Sequence, residues 1–187
     1  RTQFQSILAN DGIHYFGNIK IGESRDMMLQ DLFKCGYDAV FVTAGAQGVK
    51  RLGLPGEETP GIYHAKDVVY HYNLLPPFSL MDLSIGQHVA VIGAGNVMVD
   101  ITRWLVEKQG VKDVKVLVRR GPAEVKFDRA ELAFIAHYVD LEALENELKR
   151  VSPITTALGQ EPFALLDMVK GCIKPENISK GSPAISF

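Results

Sequence analysis

Two hydrophobic periodicities alternate along this chain. Phe4, Ile7 and Leu8 recur at helical spacing ahead of Asn10-Asp11-Gly12, which predicts the end of a helix. Residues 13–21 read as a strand with a turn at Gly17-Asn18. Met28, Leu29, Leu32 and Phe33 make a second helical stripe, closed by Cys35-Gly36. Residues 38–46 break the periodicity: they form a continuous β-rich run opening into glycine, the pattern of a strand buried on both faces. Residues 45–61 are loop, with turns at Pro55-Gly56 and Pro60-Gly61. Residues 65–75 read as a helix rich in Tyr and His, and Pro76-Pro77 ends it as the best linker in the chain.

The second half is more regular. Residues 88–92 predict a short strand, 96–109 a helix with Gly110 in the capping position, and 114–118 a second strand. Residues 124–150 read as mostly helical, with Leu132, Ile135, Ala136 and Val139 on one stripe. Residues 152–159 read as loop, 162–171 as a further helix, and 184–187 as the start of a strand. Strand–helix–strand with a tight glycine turn predicts an α/β fold, a Rossmann-like parallel sheet with helices on both faces.

Composition narrows the function classes. The 187 residues are 47% hydrophobic and 22% charged, with a formal net charge of −2. That is ample for a packed core and gives no electrostatic reason to expect a nucleic-acid partner. No apolar run approaches the ~20 residues needed to span a membrane. Cys35 and Cys172 are the two cysteines; their separation excludes a zinc ribbon, an iron–sulfur site and a vicinal dithiol in this chain. His14, His64, His71, His88 and His137 never fall at metal-ligand spacing. The chain begins Arg-Thr without a basic-then-apolar leader, so the expectation is a piece of a longer, cytoplasmic protein.

The chemistry concentrates in His88-Val-Ala-Val-Ile-Gly-Ala-Gly-Asn-Val-Met-Val-Asp100. Gly93 would make the tight turn off the strand. Gly95, lacking a Cβ, would let the backbone approach a pyrophosphate, and the amides that open the next helix would face its oxygens. Met98 holds the third glycine position of G-x-G-x-x-G, which implies a wider helix–strand separation. The plainer alternative is a glycine-rich βα turn of any α/β fold. An NAD site carries a carboxylate about 20 residues beyond the glycines to bind the ribose 2′-hydroxyl. Here Val118 is followed by Arg119-Arg120-Gly121-Pro122. Two guanidiniums match a 2′-phosphate in charge and geometry, so the pair favours NADP over NAD, against the alternative of a solvated basic loop.

The glycine turn and the Arg119-Arg-Gly-Pro122 stretch resemble the NADP-binding region of adrenodoxin reductase, bacterial NADPH–ferredoxin reductases and the glutamate synthase small subunit. These are members of the FAD-dependent pyridine nucleotide-disulfide oxidoreductase superfamily. Gly17-Asn18, Tyr37-Asp-Ala-Val-Phe, Leu54-Pro-Gly-Glu-Glu-Thr-Pro-Gly61 and Phe127-Asp-Arg-Ala-Glu-Leu132 continue the resemblance over residues 12–132. It implies the nucleotide-binding domain of a two-dinucleotide-binding flavoprotein, spanning residues 77–187. Residues 1–76 would join that domain to the flavin side. NADP(H) would be bound by Gly93, Gly95, Asn96, Val97, Met98, Arg119, Arg120 and Glu131, and Gly45 would contact FAD. Thr43-Ala44-Gly45 departs from the Ala-Thr-Gly common at that turn. The N-terminal flavin fingerprint and the C-terminal Gly-Asp segment are absent. The implied activity is hydride transfer from NADPH to flavin, then electron transfer to an iron–sulfur protein or the glutamate synthase large subunit. Two other readings stand beside it: a non-catalytic NADP(H)-binding regulatory module, and a disulfide reductase, which Cys35 and Cys172 fit poorly.

Overall fold

The computed structural model describes residues 2–46, 48–174 and 183–187. They divide into two compact units, Arg1–Gly48 and Val49–Phe187. The first contains helix α1 (Thr2–Leu8) and helix α2 (Leu29–Lys34), both at the sites of the expected helical stripes. Asn18 adopts φ 59° at the expected turn, but residues 13–21 form no strand; an isolated bridge joins Ile21 to Met27. Nor does the run at 38–46 form its expected buried strand, for Phe41 is 90% and Val42 72% exposed. A strand of that kind is made by pairing, and among the described residues none is placed to pair with it.

The second unit holds helix α3 (Ala65–Tyr72), strand β1 (His88–Ile92), helix α4 (Asn96–Glu107) and strand β2 (Asp113–Leu117). Helices α5 (Arg129–Leu132), α6 (Leu141–Ala157) and α7 (Ala164–Cys172) follow, and then strand β3 (Ile185–Ser186). The strands are parallel in the order β1-β2-β3. His88 pairs with Asp113 and Ile92 with Leu117, so the C-terminal ends of β1 and β2 are level. Alternation decides which face is covered. Val114 and Val116 point into the core with Val99, Thr102 and Leu105 of α4, whereas Ile92 and Leu117 are exposed on the opposite face. Residues 49–76 belong to this same compact unit, because Val68 of α3 is part of the buried core. The division after Gly48 therefore differs from the expected one at the cis Pro76-Pro77 bond.

The expected helical span at 124–150 is interrupted, and pairing with β3 explains the break. Val139 bridges Ile185, the Ala184 amide donates to the Tyr138 carbonyl at 2.8 Å, and the Asp140 amide donates to the Ile185 carbonyl at 2.8 Å. Asp140 then caps α6, accepting the Ala143 amide at 2.9 Å. Leu132, Ile135, Ala136 and Val139 are all buried, though on separate short elements. Conversely, the loop expected at 152–159 is largely helix: α6 continues through Pro153 to Ala157. Buried Thr155 anchors that last turn, its hydroxyl donating to the carbonyls of Val151 and Ser152.

Candidate nucleotide-binding site

The site is built where β1 and β2 end. Gly93 leaves β1 at φ 122°, a left-handed conformation that side chains rarely adopt. Its amide donates to the Leu117 carbonyl at 2.9 Å, tying the turn to the end of β2. Gly95 differs in kind. Its φ of −123° and ψ of 179° suit any residue, and a Cβ built there meets nothing within 4 Å. Neither backbone nor packing demands glycine at this position. What its missing Cβ provides is an open approach to the backbone, the clearance a pyrophosphate needs.

Helix α4 begins immediately after Gly95, and its first amides divide into two sets. Those of Met98 and Val99 donate to the Gly95 carbonyl at 3.0 and 3.3 Å. That of Asn96 is directed at the Lys126 carbonyl in the bridge between Gly95 and Lys126, and that of Val97 has no acceptor among the described residues, leaving one open donor at the positive end of a helix dipole. Val97 is about half exposed, but Met98 is 4% exposed and packs in the core. Met98 therefore fills the third glycine position from beneath, with its amide already engaged, and the open donor is that of Val97.

The Asn96 side chain faces away from that opening. Its Oδ1 accepts the Asp128 amide at 3.1 Å, and its Nδ2 donates to Asp128 Oδ2 at 3.4 Å. Asp128 in turn caps α5, with Oδ1 accepting the Glu131 amide at 2.9 Å. Residues 122–128 are also held to the turn by the Lys126 amide, which donates to the Ala94 carbonyl at 2.9 Å. The glycine turn and the Glu131 helix are thus one hydrogen-bonded assembly. The sequence reading misses the Asn96 side-chain contact, which joins residues 32 apart and which only the fold could supply.

Arg119 and Arg120 lie two and three residues past Leu117, exposed on the loop that leaves β2. Neither forms an ion pair among the described residues, and Glu131 is half-buried with its carboxylate likewise outside any ion pair. Two guanidiniums left without a carboxylate near a glycine turn form a strong anion-recognition element. Gly45 belongs to the first unit, where it adopts φ 70°. His88, at the start of β1, reaches Asp113 of β2 at 3.2 Å, a contact between neighbouring strands remote from the glycine end. The Leu54–Gly61 motif has its own organising group: Glu57 accepts the amides of Leu52 and Gly53, each at 2.9 Å. Those two donors hold its carboxyl below the usual glutamate range. Tyr63, Tyr70 and Tyr72 do not make a common platform. Tyr63 accepts the Ser84 amide, Tyr70 stacks edge-on to Phe78, and Tyr72 packs on Trp104 with ring centroids 5.5 Å apart.

A parallel sheet with a glycine turn at the C-terminal end of its first strand, leading directly into a helix, defines a Rossmann-like α/β unit. No protein-family profile matches the chain. It is 32% identical over 151 residues to a probable NADPH:adrenodoxin oxidoreductase of Schizosaccharomyces pombe, covering 70% of this chain and 32% of that protein. It is also 32% identical over 164 residues to NADPH-ferredoxin reductase FprA of Mycobacterium leprae, covering 76% of this chain and 34% of that one. The solved structure of Mycobacterium tuberculosis FprA in complex with NADPH superimposes with a TM-score of 0.71 at 27% identity, over 100% of this chain and 45% of that one. The chain belongs to the adrenodoxin reductase and NADPH–ferredoxin reductase family. It spans about a third of the length of the curated relatives it matches. Among the described residues no helix is long and apolar enough to cross a membrane.

Proposed function

We propose that this chain is the NADPH-binding part of an FAD-dependent oxidoreductase. The observation that carries the reading is the pair Arg119-Arg120, outside any ion pair among the described residues and placed just beyond the strand end to which the glycine turn is bonded. Gly95 leaves room for the pyrophosphate, the Val97 amide donates to its oxygens, and the arginines take the 2′-phosphate. Met98 contributes from below by packing, and Glu131 is carried to the site by the Asn96–Asp128 contact. When bound, NADPH supplies a hydride that FAD accepts. The residues of this chain bind and orient, and none needs to act as acid, base or nucleophile. Gly45 is proposed as a flavin contact, on the resemblance of its turn.

The names of the relatives specify adrenodoxin and ferredoxin, so an iron–sulfur protein is our proposed electron acceptor, ahead of a glutamate synthase large subunit. A disulfide reductase is disfavoured because Cys35 and Cys172 are both free and fall in different compact units. We place the protein in a reducing compartment, the cytoplasm by default. Titration with NADPH and NADH tests the cofactor assignment. NADPH should bind more tightly by about tenfold or more, as expected for charge-assisted hydrogen bonds of ~1.5–3 kcal/mol each. The double variant Arg119→Ala with Arg120→Ala should erase the difference. Equal affinity of the unaltered protein for the two nucleotides would sink the assignment. The regulatory-module alternative separates from the reductase by flavin: the complete protein should reduce an artificial acceptor with NADPH, and a complete protein that binds no flavin would favour the sensor.

A further inference from the structure

Helix α6 ends in a hydrogen-bonded pattern that fixes one residue against the arginine loop. Gly159 adopts φ 70°, its amide donates to the Thr156 carbonyl at 2.9 Å, and the Gln160 amide donates to the Thr155 carbonyl at 3.0 Å. This is the double closure of a Schellman motif, in which the residue at the Gln160 position and the one at the Thr155 position normally make an apolar contact. Here both instead pack on Gly121. A Cβ at Gly121 would meet Gln160 Oε1 at 2.9 Å and Thr155 Cγ2 at 3.7 Å. Gly121 itself has φ −64° and ψ 165°, which any residue adopts. A side chain at this position would therefore have to displace the Gln160 carboxamide.

That carboxamide is also chemically unfinished. Gln160 Oε1 is buried and has no hydrogen-bond partner among the described residues. A buried acceptor without a donor is costly, and an apolar residue would serve packing alone better. It lies against the residue that directly follows Arg120, on a loop whose two guanidiniums carry unused donors.

We propose that Gln160 is a positioning residue for the Arg119-Arg120 pair and sets the preference for a 2′-phosphate over a 2′-hydroxyl. The carboxamide braces the turn at Gly121, and its Oε1 accepts an N–H of this arginine loop when the anion is bound. The inference rests on the NADP reading above. It acts through the arginines and adds no contact to the nucleotide.

The test is a binding cycle on the full chain, with adenosine 2′,5′-bisphosphate and 5′-AMP as the probes. The unaltered protein should prefer the bisphosphate. If it does not, the NADP reading fails, and this inference with it. Given that preference, Gln160→Ala should weaken the bisphosphate by about tenfold while changing 5′-AMP by less than about twofold. Gly121→Ala should do the same by displacing the carboxamide, and should add almost nothing in the Gln160→Ala background, as expected for two changes to one contact. A merely structural role would weaken both probes together. Equal losses for the two probes, or additive effects of the two substitutions, would overturn the proposal while leaving the NADP reading intact. Should Gln160→Ala fail to fold, Gly121→Ala and Gln160→Leu, which keeps side-chain bulk, carry the same comparison.

Discussion

Asn96 and Asp128 hold each other by two hydrogen bonds, 32 residues apart in sequence. The Asp128 amide donates to Asn96 Oδ1 at 3.1 Å, and Asn96 Nδ2 donates to Asp128 Oδ2 at 3.4 Å. The first residue of α4 is thereby joined to the cap of α5. Whatever binds at the start of α4 is mechanically linked to Glu131.

Truncating either residue should cost stability. Asn96→Ala removes both mutual bonds, each contributing ~0.5–1.5 kcal/mol. Asp128→Ala keeps the backbone amide that donates to Asn96 Oδ1 and removes the bond from Asn96 Nδ2 and the cap on the Glu131 amide, the cap contributing about 1 kcal/mol. Urea denaturation should show both variants destabilised, and the double variant should lose less than the sum of the two, since they share the Nδ2–Oδ2 bond. Strictly additive losses would mean that this bond does not form in solution.

Gly93 and Gly95 should respond oppositely to the same substitution. Gly93→Ala forces a side chain into φ 122°, at a cost of about 1–3 kcal/mol, and should lower the melting temperature by several degrees. Gly95→Ala meets no atom within 4 Å and keeps an ordinary φ, so its melting temperature should be unchanged or slightly raised. Its affinity for NADPH should nevertheless fall by about tenfold or more, because the methyl occupies the pyrophosphate approach. Unchanged affinity in Gly95→Ala would remove the strongest argument for a phosphate at this turn.

The same contrast shows what could be read in the sequence. Strand β1 and the start of α4 match the expectation residue for residue, because period-two and period-3.6 patterns meet at a glycine turn. Local periodicity fails where distant pairing intervenes. Residues 138–140 look helical but are drawn off by β3, and residues 38–46 look like a strand but have none to pair with among the described residues. In the candidate site, Gly93 and the arginine pair stand out in the sequence by type and spacing. The Asn96–Asp128 contact and the packing of Gln160 on Gly121 do not, since each joins residues more than 30 apart.

Leu132 tests whether the fragmented stripe still works as one core. It is fully buried beside Ile135, Ala136 and Val139, although these lie on different short elements. Leu132→Ala should cost ~2–5 kcal/mol by lost transfer energy and a residual cavity. A loss below about 1 kcal/mol in chemical denaturation would show that the α5 segment is not packed as described.

Acid should loosen the segment around Glu57 in a defined direction. The Leu52 and Gly53 amides, aided by the Arg51 and His64 charges, hold the Glu57 carboxyl below the ordinary glutamate range. A group whose folded pKa is depressed stabilises the fold fully above its unfolded pKa. That contribution disappears as pH falls through the folded value. The two amides should therefore keep their hydrogen-bonded proton shifts through the ordinary glutamate titration and lose them only in more acidic solution. Glu57→Gln should abolish the step, since a carboxamide oxygen still accepts but does not titrate in this range. Proton NMR of the Leu52 and Gly53 amides across an acid titration reads this directly. A midpoint at or above the usual glutamate value would show that the two bonds do not form in solution.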